Sequence, residues 1–224
     1  MTEVEAVFAR HSVRTYQDRP IEPGTVHLLQ EKIEALNAAG DLHLQFIPDA
    51  GKAFTRLLNR AMGLGSAPSL IACVGPDDET LGQRIGYYGE QLVLYAQTLG
   101  LNTCWAATFQ EKGVQAEVSP AERLPIVIAI GYGANPGRTR KSKTADEVTV
   151  LEGERPAWFA RGAELALLAP TAINQQKFRF TLKPDGTVIP EDLHGIHSDI
   201  DLGIVRHHFE LGARDAGHEI TLAP

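Results

Sequence analysis

The residues of this chain best equipped for chemistry stand near its start. Arg10-His11-Ser12-Val13-Arg14-Thr15-Tyr16 gathers two guanidiniums, an imidazole and a hydroxyl in the five residues from Arg10 to Arg14. Guanidiniums with a hydroxyl donor suit a phosphate dianion, and a fixed cation also suits an electron-rich ring. A plainer use competes. Thr2 and Glu5 have capping-box spacing, which starts a helix at about residue 3 with Val4, Val7 and Phe8 on its apolar face. The basic cluster would then fall in that helix's last turn, where cations complement the dipole.

The rest of the chain must position this motif. Its 224 residues suit one compact unit or two intimate halves. Hydrophobic residues make up 43% and charged residues 22%, which marks a globular composition. The net charge of −7 argues against nucleic acid or an anionic membrane as partner. Cys73 and Cys104 each sit in an apolar, strand-like run, which favours two buried thiols over a disulfide. The acidic N-terminus has no apolar signal core, and no apolar run reaches membrane-spanning length, so the expected location is the cytoplasm.

Val26, Leu29, Ile33 and Leu36 recur at helical spacing up to Gly40, and Leu42, Leu44 and Phe46 alternate as a strand. Ala53, Phe54, Leu57, Leu58 and Ala61 suggest a further helix, broken by Gly63 to Pro68. Strands are expected at 69–74 and 125–130, the latter nearly all apolar and so covered on both faces, and 102–106 reads as a strand or a loop. Helices are expected at 82–99, 158–168 and 200–216, with a strand at 178–182 turning into 187–189. Glu152 to Pro156 reads as a linker, dividing a first half, 1–152, from a second, 153–224. The halves echo each other. Gly86 opens a helix ending at Gly100, and Gly203 opens one ending at Gly217, with equal spacing.

The opening motif closely resembles that of the FMN-dependent nitroreductase family. Three other segments are similar to that family's: Tyr95 to Trp105, Ile128 to Gly133 with the later Lys141-Ser142-Lys143, and Ala169-Pro170-Thr171-Ala172-Ile173-Asn174-Gln175-Gln176. The patches cover most of the chain. One departure stands out. The family's Pro-Ser-x-x-Asn segment follows the first motif within a few tens of residues, whereas Asn37-Ala38-Ala39-Gly40-Asp41 occupies that place here. The corresponding segment, Pro170 to Asn174, comes after Pro156. In the family two subunits share each flavin, so this order resembles a divergent subgroup with the halves of the dimer fused in one chain.

The resemblance implies an α+β fold: a mixed, largely antiparallel sheet flanked by helices, as an internal pseudo-dimer with a truncated second half. It implies bound FMN and a flavoprotein oxidoreductase that passes electrons from NADH or NADPH, by ping-pong, to a small acceptor such as a nitroaromatic or quinone. A non-catalytic FMN-binding or storage protein is the alternative. Arg10 and Ser12, within a motif that includes His11, would hold the phosphate, with Lys141, Ser142 and Lys143 completing the site. A solvated charge run is the plainer reading of those lysines. Arg14 would favour the reduced, anionic flavin. Asn174 would hydrogen-bond the ring edge or ribityl chain, with Pro170, Thr171 and Ala172 lining it. Ala106 and Ala107 would bring a backbone N–H near the atom that accepts hydride. No side chain is assigned as catalytic, because the cofactor carries the chemistry. A single chain would complete its site, with a homodimer left open.

Two other signals point to weaker alternatives. Gly131-x-Gly133-x-x-x-Gly137 follows a strand, but a basic tract and not an apolar helix comes after it, which does not suit a dinucleotide fingerprint. His194, His197, His207 and His208 lack a cysteine or acidic partner at strong metal spacing, and read as local helix-face histidines.

Overall fold

The computed structural model describes residues 1–50, 52–54 and 64–224. In chain order its main elements are α1 (Glu3–Ala9), α2 (Pro23–Gly40), β1 (His43–Ile47), β2 (Ser69–Pro76), α3 (Leu81–Thr98), β3 (Asn102–Ala106) and β4 (Glu122–Gly131). Then come α4 (Ala145–Val148), β5 (Thr149–Leu151), α5 (Ala157–Leu168), β6 (Phe178–Leu182), β7 (Val188–Asp192) and α6 (Ser198–Asp215). The helix expected around Ala53 to Ala61 lies mostly outside the described residues.

Contacts divide the chain into two compact units. One comprises 9–81 and 92–139; the other comprises 1–8, 82–91 and 140–224. The boundary expected at residue 152 falls inside the second of these. The architecture is α+β as expected, but with two sheets where the sequence suggested one.

In the first unit the strands run in the order β1-β2-β4-β3, every neighbour antiparallel. β4 is central, and its run from Ile126 to Gly131 is buried, because no position faces water. The Asn37 side chain both donates to Leu44 O (3.0 Å) and accepts from Leu44 N (2.8 Å), which clips α2 to β1. The stop of α2 is Asp41 at φ 48, one residue beyond the expected Gly40. Val13, Tyr16, Phe54, Leu70, Cys104 and Val127 share its core.

In the second unit β5 pairs parallel to β6, and β6 pairs antiparallel to β7. Helices α5 and α6 pack closely, with Gly162 against the Phe209 ring. Phe209 in turn stacks on Phe180 at 4.3 Å and meets Phe159 edge-on. α1 starts as expected: Thr2 N donates to Glu5 at 2.7 Å and Glu5 N to the Thr2 hydroxyl at 3.1 Å. It ends at Ala9, so the basic cluster lies past its last turn and does not cap it.

The echoing helices are of equal length. α3 and α6 each run 18 residues and carry glycine at the sixth. Each is followed by a left-handed glycine, Gly100 at φ 78 and Gly217 at φ 79. The sixth-position glycines also meet reciprocally. A Cβ on Gly86 would strike the backbone of Ile200 and Ile204, and one on Gly203 would strike the backbone of Gln83 and Tyr87. Those partners are the third and seventh residues of each helix.

Candidate functional site

Extended backbone in the first unit fixes the Arg10–Tyr16 motif. Val13 N donates to Thr103 O (3.0 Å), and Ser12 bridges to Thr103 on β3. Tyr16 bridges to Gly133 beyond β4, and its hydroxyl donates to Val13 O at 2.8 Å. Val13 is buried, which alternates its neighbours Ser12 and Arg14 away from the core, and Tyr16 is buried as well. Arg10 is only 5% exposed, and its guanidinium donates to the Ser12 hydroxyl at 3.4 Å. Arg14 is exposed beside the Cys104 thiol, which burial pushes up while the Arg14 hydrogen bond and the Arg14 and Arg10 charges pull it down. The Tyr16 phenol is also pushed up, first by burial. The same strand pairing brings in Ala106, at the end of β3. Ala107, the next residue, opens onto a cleft of about 550 Å³ that Phe109, Gln110 and Lys112 help to line. His11 is half-buried, with its Cβ against Gly137.

The remaining candidates fall in the second unit, where side chains do the holding. Asn174 Nδ2 donates to Lys141 O at 2.7 Å. Lys143 N donates to Gln176 Oε1 (2.8 Å), and the Lys143 ammonium donates to Gln176 O (2.6 Å). Gln176 Nε2 donates to Ser142 Oγ and Leu167 O, both at 3.0 Å. Lys141 is exposed, whereas Lys143 is half-buried with its ammonium on a neutral carbonyl. Arg140 caps α5 by donating to Leu168 O and Ala169 O. Pro170 is buried and ends that helix.

The turn after Pro170 is unusual. Ile173 (φ 46), Asn174 (φ 58) and Gln176 (φ 45) all occupy the left-handed region, which costs about 1–3 kcal/mol for each such residue. Ile173 is 83% exposed, so its own burial does not repay this. Side chains do: Gln176 N donates to Thr171 Oγ1, and Ala172 N donates to the Asp201 carboxylate at 2.9 and 3.1 Å. The Asn174 carbonyl, Oδ1, is buried without a hydrogen-bond partner. A flavin meets such a group well, since its ring N3–H and ribityl hydroxyls are donors. The donor set around Arg10 and Ser12 likewise fits a phosphate.

Asp201 carries no signal in the sequence, and Gln175 and Gln176 are legible there only as members of the family-like segment. Thr144-x-x-Glu147 forms a capping box that starts α4. The histidine cluster needs correction. His207 and His208 are buried in α6, not on an outer face. His208 Nδ1–H donates to Leu165 O, and Nε2 lies in hydrogen-bond contact with Glu90 Oε1 at 2.9 Å, both side chains fully buried. Nearby, the Tyr87 hydroxyl donates to Glu210 at 2.6 Å, and burial pushes the Glu210 carboxyl up. Among the described residues, no helix is long and apolar enough to cross a membrane.

Comparison with known proteins matches residues 3–213 to the family described as "Putative TM nitroreductase". Among solved structures, a "putative nitroreductase" from Thermotoga maritima is 25% identical, with a TM-score of 0.66 over 99% of this chain and 88% of its own. A "putative nitroreductase in complex with FMN" from Desulfovibrio desulfuricans is 21% identical, with a TM-score of 0.53 over 70% of this chain and 99% of its own. A "Putative NADH dehydrogenase/NAD(P)H nitroreductase" from Bacteroides thetaiotaomicron is 19% identical, with a TM-score of 0.50 over 65% of this chain and 95% of its own. No curated protein matches.

Proposed function

Because this chain belongs to the nitroreductase family, we propose that it is an FMN-dependent oxidoreductase using NADH or NADPH to reduce a small electrophilic acceptor such as a nitroaromatic or quinone. The observation that carries this reading is the Arg10–Ser12–Arg14 run, with a buried guanidinium touching a hydroxyl and a second guanidinium on the same extended segment. FMN held by these residues would supply the redox chemistry between nicotinamide and acceptor.

The chain's own residues bind and tune. Arg10 and Ser12 contact the phosphate. Arg14 stabilises negative charge on the reduced ring. Ala106 and Ala107 leave room for a backbone N–H beside the ring. Lys143 brings an ammonium, with Lys141 and Ser142 beside it in sequence. Asn174 supplies a ready acceptor, on the turn formed with Pro170, Thr171 and Ala172. Halves of a dimer fused in one chain are part of the proposal. The reciprocal packing of Gly86 and Gly203 on equivalent residues of two equal helices supports it, since reciprocity is what a two-fold contact has.

The protein as purified is expected to be yellow, and NADH or NADPH is expected to bleach it under anaerobic conditions. Bleaching identifies an oxidoreductase. Colour that resists both donors identifies a flavin-storage protein, and colourless protein that takes up no FMN removes the reading. Titration of flavin-free protein is expected to saturate at one FMN per chain in a monomer. Two per chain, or binding only by an obligate dimer, would break the fused-halves proposal.

A further inference from the structure

We propose that Asp201 is a positioning residue whose buried carboxylate holds the Thr171–Gln176 turn in its left-handed form and so aims Asn174 at the flavin. The inference rests on the FMN reading above and adds to it a residue outside every family motif. Asp201 stands in the first turn of α6 and is 6% exposed. It uses both oxygens on the turn. Oδ1 and Oδ2 accept from Ala172 N at 2.9 and 3.1 Å, and Oδ2 accepts from Gln175 Nε2 at 2.8 Å. Gln175 also donates to Ile196 O at 2.7 Å, which ties the turn to the segment entering α6. Ala172 and Gln175 flank Ile173 and Asn174, the two consecutive left-handed residues. The carboxylate therefore grips the turn on either side of the strained pair, and Asn174 is the residue whose carbonyl lacks a partner.

All these donors need an acceptor. A protonated Asp201 turns one oxygen into a donor and sets it against an N–H. Burial raises this carboxyl to about 6. The Gln175 and Ala172 bonds oppose the rise, and Asp199 on the same helix and Asp192 at the end of β7 add to it. The turn should therefore loosen as pH falls through about 6, without unfolding the chain.

Riboflavin is the suitable probe, because it lacks the phosphate, which itself titrates near pH 6. Its affinity for the flavin-free full chain is measured from pH 5 to 8, in wild type and D201N, alongside amide exchange at Ala172. Wild-type affinity is expected to fall as pH drops through about 6. D201N is expected to bind about tenfold more weakly at pH 7.5, with a flat profile, since a hydrogen-bonded charge is lost. Its Ala172 amide should exchange faster while β4 amides keep their protection. Q175A, which leaves Asp201 in place, should give a smaller loss in the same direction and covers a poorly folding D201N. Unchanged affinity, unchanged Ala172 exchange, or a pH profile that persists in D201N would each overturn the role of Asp201. Wild-type protein that binds neither FMN nor riboflavin would instead remove the cofactor reading itself.

Discussion

The two segments proposed to meet the flavin are held by opposite means. Arg10–Tyr16 is extended and is fixed by backbone pairing to β3 and to the residue pair beyond β4. Thr171–Gln176 is a left-handed turn fixed by Asp201, Thr171, Gln175 and Gln176 side chains. Backbone pairing does not depend on which side chain stands at a position, so the first segment can change its chemistry without changing its path. The second has its path written in its side chains. Substitutions in the first should alter what is bound, whereas those in the second should alter whether the residues are in place.

The largest expected effect is Arg10→Ala. Loss of a charged phosphate contact is worth about 1.5–3 kcal/mol, so FMN should bind about ten- to a hundredfold more weakly. Riboflavin affinity should hardly move, and equal losses for the two flavins would mean that the segment itself had shifted. Joint replacement of Lys141 and Lys143 by alanine should again cost FMN more than riboflavin, by about tenfold. Here a small riboflavin loss is expected too, because the Lys143 ammonium also holds Gln176 O.

Thr171→Val keeps the shape and removes the acceptor for Gln176 N, at a cost of about 1 kcal/mol. Both flavins should then weaken by about fivefold and in parallel, as isothermal titration would report. Selective loss of FMN would contradict the contrast. Arg14→Ala should leave FMN affinity within about twofold and lower the potential of the bound flavin in spectroelectrochemistry. An unchanged potential would remove Arg14 from the ring's surroundings.

A separate effect is on global stability. Asp201 titrates at about 6 when folded and near its ordinary 3.8 when unfolded, so the folded chain binds more protons between these values. Stability therefore falls as pH rises from about 4 to about 6, and the buried charge is a full penalty above that. Acidification should raise the melting temperature of wild type relative to D201N across that window, which differential scanning calorimetry would report. Flavin affinity moves the other way in the same window.

The same contrast governs what was legible beforehand. The first segment could be read because its residues carry their own signal, and β4 because an unbroken apolar run has few other fates. The glycine-bounded helices α3 and α6 were visible for the same local reason. The second segment could be recognised only as a motif. Its conformation depends on Asp201, and no local pattern links that residue to Ala172 or tells it apart from Asp199 two positions earlier. β5 escaped because three residues are too few for alternation to show, and its parallel partner β6 lies far along the chain. The basic tract was ambiguous for a further reason. Arg140 and Lys143 are neither solvated nor simply free for a ligand, since each secures a carbonyl.

The crossing of α3 and α6 ties the histories of two positions together. At Gly86 and Gly203 the obstacle to any side chain is main chain, which cannot rotate out of the way as a flexible side chain would. Alanine at either position must force the same two helices apart. Once they are apart, alanine at the other finds room already made. The penalties should therefore fail to add, the double replacement costing little more than the worse single one. Neither glycine can then drift alone, so selection should treat the pair as one character, lost together or kept together.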